Sequence, residues 1–152
     1  MSAINLKNKD ETFILPDATA PDEVFAYIAS FNNWQYFDVD SNGLNTNDVN
    51  GIYLANYLAQ SSFDIKRNQM LFSGLLFLGL PSGYSTDINK ENGQYQTITK
   101  DLMTKAFFDT FKNYIYCNFE LNLTSIKPLY NSVKYAKAIE STGVEISYQI
   151  WI

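Results

Sequence analysis

Apolar side chains recur at the spacing of an α-helix in three separate parts of the chain. The first helix is predicted to begin between Thr19 and Pro21, since proline is favoured in the first turn, and to end at Asn32-Asn33. The second spans about residues 48–60, where the apolar residues form one broad side. The third runs from Thr99, a good N-cap residue, to about Tyr116. The pattern therefore predicts three amphipathic helices.

Two other segments have the pattern of β-strands. Residues 65–80 are apolar at both odd and even positions, which predicts a strand or a pair of strands. Apolar residues on both faces indicate a central strand covered on both sides or a face that meets another subunit. At the C-terminus, residues 132–141 and 144–152 flank Thr142-Gly143, and the second segment alternates between apolar and polar positions. Since glycine supplies the positive φ of a tight turn, these two segments are predicted to form a β-hairpin.

These elements predict one α+β domain over residues 1–152. We expect a mainly antiparallel sheet of about four strands, about three amphipathic helices packed on it, and a C-terminal β-hairpin. Residues 1–12 are polar and expected to be flexible, and residues 81–98 are expected to form a long polar loop. The predicted core consists of Val24, Phe25, Ile28, Phe72, Leu76, Leu78, Met103, Phe107, Phe111, Ile146, Tyr148 and Ile150.

Charge and composition narrow the classes of function. The chain has 152 residues, with 11 Lys and Arg against 16 Asp and Glu, and a formal net charge of −5 at pH 7. An acidic chain whose only arginine is Arg67 lacks the clustered basic groups that bind nucleic acid. It contains no histidine, which excludes catalytic triads and metal sites that use imidazole. Cys117 is the only cysteine, which excludes an intramolecular disulfide.

The sequence also gives expectations about location. No apolar secretory segment is visible at the N-terminus, and the most apolar run, residues 70–80, is shorter than the roughly 20 residues of a membrane helix. We therefore expect synthesis in the cytoplasm of a bacterial host and no membrane contact. The 16 Asn, 13 Ile and 10 Lys against one Arg indicate AT-rich codons, as in an AT-rich bacterium or one of its viruses.

One stretch, residues 38–48, resembles the start of the calcium loops of EF-hand and dockerin modules. Asp38, Asp40 and Asn42 place oxygen ligands at positions 1, 3 and 5, and a glycine follows at position 6. The predicted helices on both sides agree with that context. The resemblance implies a calcium site within about a dozen residues of the chain.

The same stretch departs from the calcium pattern at position 12. Val49 stands where the bidentate carboxylate should be, and Asp48 comes one place too early. The other interpretation is a polar turn in which Asp and Asn side chains bond to their own backbone. We favour the turn, expect no cofactor, and expect any calcium binding to be weak.

No set of catalytic residues is evident, so we expect a protein that is not an enzyme. Its apolar and aromatic content exceeds what a small monomer needs, which favours a subunit that assembles with copies of itself. The C-terminal strand would extend the sheet across subunits. The apolar residues expected at these contacts are Leu71, Leu75, Phe77, Phe108, Trp151 and Ile152.

The order of the predicted elements resembles the small neck and tail-completion (tail-terminator) proteins of tailed bacteriophages. Residues 99–116 followed by residues 132–152 carry most of the likeness. The resemblance implies a structural subunit of the virion that forms a ring and contacts tail-tube or portal (connector) proteins, without a cofactor. It transfers no functional residue. The alternative is a small soluble binding module that uses the degenerate calcium loop at 38–48.

Overall fold

The computed structural model describes residues 13–14, 20–39, 49, 51–81, 93–112, 114–116, 120–132, 134 and 140–152. Strands and helices follow one another in the order β1 (Phe13–Ile14), α1 (Pro21–Phe31), β2 (Gln35–Asp38), β3 (Tyr53–Asp64), β4 (Gln69–Pro81), α2 (Gly93–Lys112), β5 (Tyr114–Tyr116), β6 (Glu120–Ser132) and β7 (Ser141–Trp151).

A five-stranded sheet in the order β2-β3-β4-β7-β6 forms the centre of the fold. Strand β2 runs parallel to β3, and all other neighbours in this sheet are antiparallel. Strands β1 and β5 form a separate parallel pair. Helix α1 contacts β2 and β3, whereas α2 contacts β4 and β7. The two helices therefore cover adjacent parts of the main sheet.

The main core lies between the helices and one face of the sheet, called here the helix face. Phe25 of α1 packs edge-on against Tyr148 of β7, with ring centroids 4.8 Å apart. The strands contribute every second residue to this core because alternate side chains share a face. Its fully buried members are Val24, Phe25, Tyr27, Ile28, Ala29, Leu54, Leu76, Leu78, Leu80, Met103, Phe107, Val144, Ile146, Tyr148 and Ile150.

A second, smaller cluster lies on the opposite face of the sheet. Tyr53, Ala55 and Phe77 are buried there, and Phe37 packs its ring edge-on against Tyr53. The Tyr53 hydroxyl donates a hydrogen bond to Oγ of Ser141 at 2.8 Å. Apolar residues on both faces of β4 are thus explained by two cores that share one central strand.

The prediction of about three helices on a four-stranded sheet is wrong. Helices and strands are both present, but the described residues form two helices and a five-stranded main sheet. The error begins at residues 48–60, where the structure has strand β3 from Tyr53 onward. Tyr53 and Leu54 are buried on opposite faces, so the segment has the broad apolar pattern of a helix.

The turn predicted at Thr142-Gly143 is also wrong. Both residues lie inside β7, where Gly143 pairs with Gly79 on one side and with Leu129 on the other. A Cβ on Gly143 would lie 1.9 Å from the carbonyl oxygen of Leu78. Glycine is needed here for the close approach of two backbones and not for a turn. The strand that precedes β7 in the sheet is β6, which the pattern did not predict.

The remaining boundaries differ in smaller ways. Helix α2 begins at Gly93, six residues before Thr99, so the predicted loop 81–98 overlaps the helix. The middle of that loop, residues 82–92, and the N-terminal residues 1–12 lie outside the described residues. Neither described helix combines the length and the hydropathy needed to cross a membrane.

We expect Gly143→Ala to lower the free energy of unfolding by about 2 kcal/mol or more, because the new methyl group must push β7 away from β4. Urea unfolding followed by circular dichroism measures this change. Gln149→Ala, at an exposed position on the same strand, is the matched control and should change stability by less than about 0.5 kcal/mol. Equal effects of the two substitutions would contradict the close packing of β4 and β7.

Candidate functional site

A cavity of about 250 Å³ opens on the helix face at the start of α1. The carboxylates of Asp22 and Asp38 line it together with the amide of Asn56. Pro21 and Phe72 contribute apolar walls. We call this site the acidic cavity, because the charged residues that line it in the described part of the chain, Asp22 and Asp38, are both negative.

A chain of hydrogen bonds fixes the polar wall of the acidic cavity. The Tyr148 hydroxyl donates to Oδ1 of Asn56 at 2.7 Å, and Nδ2 of Asn56 donates to Oδ1 of Asp38 at 3.3 Å. The Tyr36 hydroxyl donates to the same Asp38 oxygen at 2.7 Å. Since Asn56 is only 4 % exposed, its amide serves as a buried link between the main core and the cavity.

Burial and charge shift the titration of groups around the cavity. Burial raises the pKa of Asp22, and the neighbouring charge of Asp38 raises it further, against the hydrogen bonds from the helix backbone. Burial also raises the pKa of Tyr36, as does its hydrogen bond to Asp38. Two carboxylates that repel each other in one cavity would favour a positive group between them.

The structure changes the context of the predicted calcium loop. The stretch overlaps the end of β2 and precedes β3, so strands adjoin it where helices were expected. The helix predicted before it is present as α1, but β2 separates α1 from the stretch. Asp38 ends β2 and accepts hydrogen bonds from Tyr36 and Asn56. Asp40, Asn42 and Asp48 lie outside the described residues. Within the described part of the chain, no group of three or more Asp, Glu, Cys or His side chains could hold a metal ion.

The hairpin between β3 and β4 presents apolar side chains to solvent. We call residues 63–68 the hairpin tip. Ile65 is 85 % exposed and Phe63 is 56 % exposed. The tip lies beyond the last residue of β7, since Ile152 and Met70 exchange backbone hydrogen bonds of 2.8 and 2.9 Å at the end of the sheet.

Arg67 holds the hairpin tip in one orientation. Its guanidinium stacks 3.9 Å from the centre of the Trp151 ring and donates to Glu120 at 3.3 Å and to Gln69 at 3.2 Å. The backbone N–H of Arg67 donates to Asp64 at 2.9 Å and closes the turn. These contacts hold Arg67 against the face opposite the helices. Ile65 and Lys66 remain exposed to solvent.

Three predicted contact residues lie on the same face of the sheet, opposite the helices. Leu71 pairs with Trp151 across the strands, and Leu75 follows on the same face of β4. All three are partly buried. We call this surface the open face, because neither described helix covers it. The residues beside them are mostly amides and hydroxyls, namely Gln60, Ser62, Ser73, Asn122, Ser125, Ser147 and Gln149.

The other three predicted contact residues lie elsewhere. Phe77 is 1 % exposed inside the second cluster, so it has no surface to offer a neighbour. Phe108 and Ile152 are partly buried and pack against the main core on the helix face. Strand β7 lies between β4 and β6, so its backbone pairs on both sides and cannot extend the sheet to another subunit as expected.

Two features, the acidic cavity and the hairpin tip, were not predicted from the sequence pattern. In the sequence, Asp22 has the position of a charge that complements the helix dipole, and only the fold places it near Asp38. The hairpin tip had a local signal, because Asp64 and Asn68 flank a polar turn between apolar residues. Asn68 indeed adopts a positive φ of 51°. The strand or pair of strands predicted over residues 65–80 began within that turn.

No protein-family model matches this chain, and neither does any curated protein.

We expect Asp22→Asn to raise the melting temperature at pH 7, because it removes a partly buried charge that faces Asp38. The raised pKa of Asp22 means that its carboxyl favours folding below its unfolded pKa of about 3.9 and opposes it as the pH rises through the folded value. The gain should therefore disappear near pH 3. Asp101→Asn is the matched control and should lower the melting temperature at pH 7, because Asp101 pairs with Lys100. Thermal unfolding at both pH values measures these effects, and destabilisation by Asp22→Asn at pH 7 would contradict the repulsion.

Proposed function

We propose that this chain is a non-enzymatic structural subunit of a bacteriophage neck or tail that assembles with copies of itself into a ring. The observation that carries the assembly is the hairpin tip, which holds Ile65 in solvent beyond the sheet, next to the exposed Phe63 at the end of β3. Exposed apolar residues in a pinned turn cost solvation energy in a monomer and little entropy on binding. A neighbouring subunit would recover that energy.

The open face offers a second surface for contact. Its apolar residues Leu71 and Leu75 lie among neutral amides and hydroxyls, whereas Trp151 lies beside the Arg67–Glu120 ion pair. Interfaces that form after folding have this mixture of groups. Because the chain carries a net charge of −5, the uncharged area around Leu71 and Leu75 is where another acidic subunit meets less repulsion. Tail-tube or portal subunits are the partners that we propose for this face.

The edge strand β6 supports contacts through side chains and not through added strands. Ile126 and Tyr130 are about half exposed on it. Pro128 lacks a backbone N–H, and the pairing with β7 shifts register near both ends of β6. Such features hinder the pairing of an edge strand with a strand of another molecule. Assembly of a defined size is compatible with that protection.

The assignment to a virion is supported by the order of the last elements and by composition. A long helix, α2, precedes the antiparallel pair β6 and β7 at the C-terminal end, as in the neck and tail-completion pattern. The excess of Asn, Ile and Lys over Arg is the composition expected of a phage of an AT-rich bacterium. The missing second helix removes one part of that pattern, so the phage role depends on these two features.

We expect light scattering after size exclusion to give a mass that is a multiple of 17.4 kDa, and negative-stain images of the same peak to show closed rings. The physical reason is that apolar surfaces at the hairpin tip and the open face are covered in the assembly. Leu75→Gln should reduce the assembled fraction, whereas Leu102→Gln, the same change at an exposed site on helix α2, should not. A monomer at every concentration up to the millimolar range would contradict the proposal.

A further inference from the structure

The hairpin tip and the acidic cavity match each other in chemistry. The tip ends in an exposed isoleucine, Ile65, followed by an exposed lysine, Lys66. The cavity combines apolar walls with the carboxylates of Asp22 and Asp38. Each feature thus combines an apolar part with a charged part, and the two charges are opposite in sign.

We propose that the hairpin tip of one copy of this chain docks into the acidic cavity of a second copy, with Ile65 against Phe72 and the Lys66 ammonium beside Asp22 and Asp38. The inference rests on the proposed function and names the contact by which the subunits assemble.

Charge complementarity is the first argument for this occupant. Among the described residues, the ion pairs involve other side chains, and none includes Lys66, Asp22 or Asp38. The carboxylates bond instead to neutral groups or to helix backbone. A lysine from outside would relieve the repulsion between Asp22 and Asp38, since an ammonium between two carboxylates is favourable.

Size is the second argument. The cavity has a volume of about 250 Å³. A cavity of roughly 150 Å³ already holds a benzene molecule. The acidic cavity therefore has room for one aliphatic side chain together with the end of a lysine.

Geometry directs the tip to another copy and not to its own cavity. Ser61 pairs with Phe72, which lines the cavity, and Ile65 lies four residues further along the hairpin. At about 3.3 Å per residue this places Ile65 roughly 13 Å beyond Phe72. Because Arg67 holds the turn against Trp151, the tip cannot fold back over that distance.

Charge reversal tests the contact directly. Lys66→Glu and Asp22→Lys should each weaken self-association by more than about tenfold, because each creates a like-charge contact. An equimolar mixture of the two variants should assemble again, since every contact in it can pair opposite charges. Sedimentation velocity over a concentration series measures the three association constants, and circular dichroism checks that both variants fold.

Matched controls separate this contact from general effects of charge and apolar surface. Lys105→Glu makes the same charge change on the exposed side of α2 and should leave association within about threefold of the unmodified chain. Ile65→Ser should weaken association, whereas Leu102→Ser, which removes an exposed apolar side chain on α2, should not.

The outcomes distinguish this inference from the proposed function. Assembly that is unaffected by Lys66→Glu and Ile65→Ser would overturn the docking contact and leave the structural role intact. A monomeric unmodified chain would overturn both. A third result also contradicts the contact: if millimolar calcium raises the melting temperature and Asp22→Asn abolishes that rise, while Lys66→Glu has no effect on assembly, the cavity holds a cation.

Discussion

The antiparallel pairing of β4 with both β3 and β7 is the constraint on which the rest of the structure depends. Strand β4 is central, and it supplies Leu76 and Leu78 to the main core and Phe77 to the second cluster. The backbones approach so closely at Gly143 that no side chain fits there. Because the two cores share this strand, a shift of one residue in its register would turn every apolar side chain to the wrong face.

Asn56 connects this framework to the acidic cavity. Its side chain accepts from Tyr148 in the main core and donates to Asp38 at the cavity wall. A buried amide that satisfies partners on both sides holds them at fixed distances, since breaking either bond leaves a buried polar group unpaired. The cavity is therefore built into the sheet, and the start of α1 adds Asp22 to a wall that is already in place. A preformed, negatively charged cavity can bind a cationic side chain without further ordering of the subunit.

The core residues were predicted from the sequence more accurately than the topology was. Val24, Phe25 and Ile28 in α1, and Ile146, Tyr148 and Ile150 in β7, are buried as their spacing indicated. Phe72 is only partly buried, and Phe111 lies outside the described side chains. Strand β3 was missed because both faces are buried over its first four residues, 53–56, which removes the alternation that identifies a strand. The acidic cavity could not be predicted, since Asp22 and Asp38 meet only after α1 packs beside β2 and β3. The spacing of apolar residues predicts single helices and strands, whereas this site depends on contacts between separate elements.

Zero-length cross-linking tests whether the hairpin tip of one copy lies in the acidic cavity of another copy. A carbodiimide joins a lysine amine to a carboxylate only when the two are in contact. The experiment uses an equimolar mixture of ¹⁴N-labelled and ¹⁵N-labelled chains, and mass spectrometry identifies the joined peptides. We expect peptides in which Lys66 of one isotope is joined to Asp22 or Asp38 of the other. Cross-links from Lys66 that join only chains of the same isotope, or that join Lys66 to other carboxylates, would contradict it.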